Sequence, residues 1–183
     1  MKTWIIVSLA VLVAAAAALV VYHLHGRRGA SGPVTRTENA FEFTVHAPFK
    51  SVVPLFGASA ERAWGGSHWN PRFVYPLPER DQAGEVFTVA HGHLRSTWIN
   101  TMFDLDNGRV QYVYVIPGAQ VCVIDIYARP LGASTTGVKV VYQRTALDPA
   151  LNEHVSELGR QDGASGREWE TAINGYLQAS PAR

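Results

Sequence analysis

The tail of the chain, Ser165 to Leu177 (SGREWETAINGYL), carries the pattern that most restricts the fold. Trp169, Ile173, Tyr176 and Leu177 recur at i, i+4, i+7 and i+8, one stripe of a 3.6-residue helix. Glu168, Glu170, Thr171 and Asn174 fall largely off that stripe. A single helix gains most of its stability from burying such a face against a partner. From Phe41 to Thr145 the chain reads as strands with one helical insertion, so the partner is a sheet.

The strands are legible one by one. Glu38 to Val45 alternates, with Phe41, Phe43 and Val45 on one face and Glu42 and Thr44 on the other. Ala47-Pro48 ends it. Phe49 to Trp64 carries apolar residues interrupted by Pro54 and Gly57, which predicts two short helices meeting at a bend. Gly65 to Pro71 reads as a loop, and Phe73 to Pro78, with its prolines, suits a sheet edge. Strands follow over Gly84–Gly92, Leu94–Asp104, Val110–Ile116, Gln120–Ala128 and Val138–Ala146. Asp106-Asn107-Gly108 is the strongest hairpin signal, because Asn-Gly readily takes positive φ. Pro130 to Gly137 reads as a loop. Asp148-Pro149 opens a short helix, and Gly159, Gly163 and Gly166 predict a break before the long closing one.

A chain of 183 residues, 47 % of them hydrophobic, suits one domain plus an appendage. The appendage is the N-terminus. Trp4 to Tyr22 is apolar except for Ser8, long enough at about 1.5 Å per residue to cross a bilayer core of about 30 Å. A cleaved signal peptide is the alternative, with Lys2 ahead of the run and small residues at Ala14 to Ala18. The run continues through Leu19, Val20 and Val21, which favours an uncleaved single-pass membrane anchor over residues 1–25. Lys2 precedes the span while Arg27, Arg28 and Arg36 follow it, a margin that leans toward a cytoplasmic domain, with the periplasm as the alternative. Residues 26–37 then form a flexible tether and 38–180 the folded domain. The net charge of +1 and the absence of basic runs in the folded part argue against nucleic acid as a partner. Cys122, the only cysteine, sits in an apolar run and reads as a small buried hydrophobe.

The order of elements, with FTVHAPFKSVVPLF at the opening and REWETAINGYL at the close, resembles the START-like superfamily. This superfamily is also called SRPBCC and includes polyketide cyclase and Bet v 1-type proteins. ERAWGGSHWNPRFVYP is similar to the subgroup whose second helix carries a Glu-x-x-Trp pair. The likeness spans about Glu38 to Gln178 and rests on shape rather than chemistry. It implies an α+β helix-grip fold, a curved antiparallel sheet of six or seven strands wrapped around a long C-terminal helix. Two short helices follow the first strand, an apolar cavity is enclosed, and the transmembrane helix stands apart.

Strand parity selects what faces that cavity. Lys139 and Gln143 seek water, so Val138, Val140, Tyr142 and Arg144 turn inward. The same reasoning places Tyr112, Tyr114 and Ile116 inside, with Cys122, Ile124 and Ile126. On Leu94–Asp104 the row Trp98, Asn100 and Met102 is chosen, because burying an indole stabilises by about 2–3 kcal/mol. With the lid residues Trp64 and Trp69 and the helix residues Trp169 and Ile173, these form an aromatic ligand pocket or, equally, a packed core.

Glu61 and Trp64 share a helical face near His68 and Trp69, in the segment expected to cover the cavity mouth. A carboxyl against indole rings has its pKa raised, so Glu61 and His68 are candidates for general acid–base work. The structural alternative is a Glu61 paired with Arg62, Arg72 or Arg95. His91 and His93 have the spacing of two metal ligands on a strand, but no third ligand is identifiable, so no metal is expected. Arg95 and Arg144 are candidates for a ligand carboxylate or phosphate. No nucleotide, cofactor or nucleophile motif is present, and no cofactor is expected. The function expected is binding or transfer of an apolar small molecule or lipid by a membrane-anchored domain. A cyclase- or hydratase-like enzyme using Glu61, His68 or Tyr112 is the alternative, and a partner-binding module with a filled core is a third.

Overall fold

The computed structural model describes residues 32–179, so the expected anchor and residues 26–31 of the tether lie outside the described residues. Among those described, no helix is long and apolar enough to cross a membrane. Seven strands form one antiparallel sheet in the order β1-β7-β6-β5-β4-β3-β2. They are β1 (Arg36–Val45), β2 (Arg72–Tyr75), β3 (Val86–His91), β4 (Leu94–Asp104), β5 (Arg109–Ile116), β6 (Gln120–Gly132) and β7 (Thr135–Ala146). After β1, helix α1 (Phe49–Val52) runs into a 3-10 turn at Val53–Phe56, and a second turn occupies Ala60–Ala63. At the C-terminus a 3-10 turn (Pro149–Leu151) leads into α2 (Asn152–Ala164) and α3 (Gly166–Ala179). The sheet closed by C-terminal helices fits the helix-grip arrangement.

The strands form because their inward positions are apolar on every second residue. Phe41, Phe43 and Val45 on β1 join Val138 and Val140 on β7, Ile124 and Ile126 on β6, and Phe87 and Val89 on β3 in one core. Each such side chain removed from water stabilises by about 1.5–3 kcal/mol. Cys122 is fully buried among them, and burial pushes its thiol up to about 11.

Four local features differ from the sequence reading, each for a physical reason. The stretch Pro130–Gly137 is the tip of a long β6–β7 hairpin rather than a loop, with Pro130 opposite Thr136. Pro130 is tolerated because the register shifts there, and Thr136 Oγ1 donates to Ala47 O at 2.9 Å, tying the tip to the end of β1. On β4 a bulge moves the pairing from Asn100–Tyr112 to Met102–Gln111. A one-residue slip exchanges faces, so Phe103 packs on the core instead of Met102. The C-terminal glycines do not break a helix at 159. A Cβ on Gly159 would lie 2.8 Å from Thr37 Oγ1 and Asn39 Nδ2, so the bare backbone lets α2 settle onto β1. The result is two helices of similar length, 13 and 14 residues, meeting at Ser165. Finally, β1 begins at Arg36, and Asn152 accepts from Thr35 N (2.8 Å) and donates to Pro33 O (3.1 Å), joining these residues to the domain.

Candidate functional site

The apolar stripe of α3 leans on β1. Trp169 packs edge-on against Phe41 and Phe43, ring centres 5.6 and 6.3 Å apart, and Ile173 is fully buried beside it. Opposite the helix an interior space of about 330 Å³ remains, walled by Trp98 on β4, Tyr112 and Tyr114 on β5, Ile124 and Ile126 on β6, and Tyr142 and Arg144 on β7. Trp169, Glu168 and Ala172 of α3 face it from the other side. Glu61, Trp64, Gly65, His68 and Trp69 form its lid, with His91 at the end of β3. A larger hollow, about 640 Å³, lies outside the sheet near the β6–β7 tip, edged by Glu42, Arg129 and Lys139. Its aromatic lining is Phe43 and Tyr127 alone, against seven aromatic side chains in the interior cavity, which is therefore the candidate site.

The lid is fixed by bonds that use up its indole donors. Trp64 Nε1 donates to Leu55 O at 2.8 Å and Trp69 Nε1 to Ala58 O at 2.9 Å. Asp81 accepts from Ser59 N (2.7 Å) and Ala60 N (3.1 Å), satisfying the free amides that open the second 3-10 turn. Arg62 pairs with Glu79 at 2.7 Å and also donates to Pro71 O. The rings interlock: Trp64 meets Trp169 at 5.2 Å, Trp69 meets Trp98 at 5.4 Å, and Trp98 stacks on Tyr114 at 4.3 Å. Trp98 Nε1 donates to Ser96 Oγ (2.7 Å), which also lies 3.0 Å from His91 Nε2. His91, half-buried near His68, is held below the ordinary imidazole range, chiefly by desolvation.

One end of the cavity is a saturated ion pair. Arg144 donates through Nε and Nη2 to both Asp162 oxygens, at 2.6 and 2.7 Å, a bidentate geometry within hydrogen-bonded α2–β7 packing. Its Nη1 donates to the Tyr114 hydroxyl and to Gln120 Oε1 (3.4 Å). Burial raises the Asp162 carboxyl and Arg144 opposes that rise, while the guanidinium stays protonated. Behind the wall, fully buried Glu85 accepts from Gln82 N (2.8 Å), Asn100 Nδ2 (3.3 Å) and Tyr112 OH (3.3 Å). The Tyr112 hydroxyl also reaches Phe56 O at 3.0 Å.

Glu61 is the contrast. It has no side-chain hydrogen bond or ion pair among the described residues, so it is not tied to Arg62, Arg72 or Arg95. Glu61 is half-buried at the cavity edge, and desolvation, helped by Asp81, pushes its pKa up to about 8. The Tyr142 hydroxyl likewise has no protein partner among the described residues, and burial raises its pKa well above the ordinary value.

The structure therefore brings Glu61, His68, Trp64, Trp69, Trp98, Tyr112, Tyr114, Tyr142 and Trp169 to one cavity. Ile173 packs in the core instead of lining it. Arg144 faces inward but is already paired, and Arg95 is exposed and lies outside the cavity. His91 and His93 are not on one strand: β3 ends at His91, and Gly92, at φ +62°, turns the chain so that His93 points to solvent. Asp162 and Glu85 escaped the sequence reading: Asp162 falls in the stretch read as a break, and Glu85 opens an expected strand with nothing near it in sequence to mark it as buried. The one available signal was Arg144 at an inward strand position, which requires a buried anion.

No family model matches this chain, and no curated protein does. Solved structures do. Norcoclaurine synthase from Thalictrum flavum superposes with a TM-score of 0.59 at 10 % identity, over 82 % of this chain and 91 % of its own. The Mll3558 protein from Rhizobium loti gives 0.56 at 19 % identity, over 80 % of this chain and 100 % of its own. Ara h 8.0201 gives 0.57 at 13 %, over 80 % and 100 %. The chain thus shares its fold with these proteins. At such identities the likeness speaks to fold alone.

Proposed function

We propose that this protein binds a small apolar or aromatic molecule in the cavity between the sheet and α3. The observation that carries the reading is convergence: seven aromatic side chains from the lid, β4, β5, β7 and α3 surround an open space of about 330 Å³. That volume lies at the low end for small-molecule sites, which favours a single ring system over a two-chain lipid. Native mass spectrometry of the full chain after gentle purification tests it. A co-purified small molecule is expected, lost in Ala172→Trp, whose indole would occupy the cavity. An empty protein that takes up no aromatic probe contradicts the reading.

Glu61 favours a second reading. A carboxyl with a pKa of about 8, at the edge of a partly open cavity, suits proton transfer to a bound substrate. In a cyclase- or hydratase-like reaction, Glu61→Gln would lower turnover by about 10²-fold while leaving binding nearly intact. We further propose that the run Trp4–Tyr22 tethers the domain to a membrane, on the cytoplasmic side, raising the local concentration of membrane-dissolved ligand. Fractionation of the full chain beside one lacking residues 1–25 tests the tether, and equal solubility of the two would exclude it.

A further inference from the structure

The hydrogen-bond inventory of the cavity restricts the polar part of its ligand. Trp64, Trp69 and Trp98 have all given their N–H groups to the protein, so they offer the space apolar ring surface and no hydrogen bond. The Tyr112 and Tyr114 hydroxyls are engaged with Phe56, Glu85, Arg144 and Gln120. Arg144, the one fixed cation on the wall, is cancelled by both oxygens of Asp162. Among the described lining residues, the side chains left without a protein hydrogen bond are the Glu61 carboxyl, the Tyr142 hydroxyl, the Trp169 indole N–H, the His68 imidazole and Glu168 at the mouth, and none of them is a fixed cation. Aromatic rings around an uncompensated carboxyl form the arrangement that recognises organic cations, by attraction to the ring quadrupole and to the anion.

We propose that the ligand of this cavity is an organic cation, an ammonium group on a small apolar body, seated with its charge against Glu61. This rests on the cavity being a ligand site, as proposed above, and adds the chemical class. Binding a cation favours the ionised form of Glu61, so below about pH 8 uptake expels a proton and affinity rises with pH. Other titratable groups share the surroundings of Glu61. Asp81 stands behind it, Glu168 lies at the mouth, and the Tyr112 and Tyr142 hydroxyls stay protonated because burial raises both. His91 is held uncharged at neutral pH and above. His68 is the remaining imidazole, removed in the control His68→Gln.

The test uses the full chain and three probes of similar size, benzyltrimethylammonium, benzyl alcohol and benzoate, titrated by ligand-observed NMR at pH 7 and pH 9. The charge of the first probe does not titrate. Its affinity should rise about tenfold between the two pH values, following the ionised fraction of Glu61, while that of benzyl alcohol stays constant. Benzoate should bind most weakly. The slope should persist in His68→Gln and vanish in Glu61→Gln. If Glu61→Gln fails to fold, the slope in wild type and in His68→Gln decides alone. Benzyl alcohol binding as tightly as the cation at pH 9, a slope lost in His68→Gln, or a preference for benzoate overturns the cation while leaving the cavity a ligand site. Failure of all three probes overturns both.

Discussion

Two carboxyl groups of this domain, Glu61 on the cavity lid and Asp162 behind the cavity wall, have opposite fates. Asp162 reaches from α2 into a bidentate pair with Arg144, and every oxygen it offers is used. Glu61, on the lid, faces the cavity with no side-chain partner among the described residues. A paired charge of this kind holds elements together, here α2 and β7. An unpaired one raises the free energy of its ionised form and stays available to a ligand. The difference separates architecture from chemistry more sharply than residue type does.

The largest effect should come from breaking the saturated end. Asp162→Ala leaves the guanidinium buried and uncompensated, and unfolding in denaturant should show a loss of about 3–5 kcal/mol. Replacing both partners, Arg144→Met with Asp162→Leu, should recover most of it, because the cost is that of a lone buried charge. A double variant as unstable as the single one would mean that the pair itself supplies the stability.

Next in size is the close approach of α2 to β1. Gly159→Ala would set a methyl 2.8 Å from Thr37 Oγ1 and Asn39 Nδ2, and should destabilise by about 1–3 kcal/mol. Gly163, whose Cβ would meet Asn39 at an ordinary 4.0 Å, should instead gain from alanine by up to about 1 kcal/mol. Thermal melts of the two variants should move in opposite directions.

The open end should answer to pH. Glu61 has a folded pKa of about 8 against an ordinary 4.5, so the folded state holds its proton more tightly than the unfolded chain. Its contribution is greatest below pH 4.5 and declines as pH rises toward 8. Screening by solvent at the cavity edge limits this to about 1–2 kcal/mol. Glu61→Gln should flatten that part of the stability–pH curve and be no less stable than wild type at pH 7. The smallest effects separate two tyrosines. Tyr114→Phe, which strips an acceptor from Arg144, should cost about 1–2 kcal/mol, whereas Tyr142→Phe should stay within about 0.5 kcal/mol.

Most of the architecture was legible because it is written in periodicity. Alternation on β1 and β5–β7 set the inward residues, and the stripe Trp169, Ile173, Leu177 marked the closing helix. The bulge at Thr101 was not legible, since nothing in Asn-Thr-Met-Phe signals a slipped register, and it exchanged Met102 for Phe103. The glycine at 159 misled because a glycine weakens a helix in isolation, yet it permits contact when a strand lies against it, and the break falls at Ser165, just before Gly166. The cavity lining followed from strand parity, but the distinction between Glu61 and Asp162 depends on contacts between distant segments. Residue 144 lies 18 positions from its partner, and only the folded sheet brings them together.

Glu61 is the point on which the account turns, and its ionisation can be read directly. Carboxyl 13C shifts of the full chain, followed from pH 4 to 10 and assigned with Glu61→Gln, give its pKa in solution. A midpoint near 8 is predicted, falling when benzyltrimethylammonium is added. A midpoint near 4.5 that ignores the cation would show that Glu61 faces water or a hidden partner, and the account of the cavity would fail.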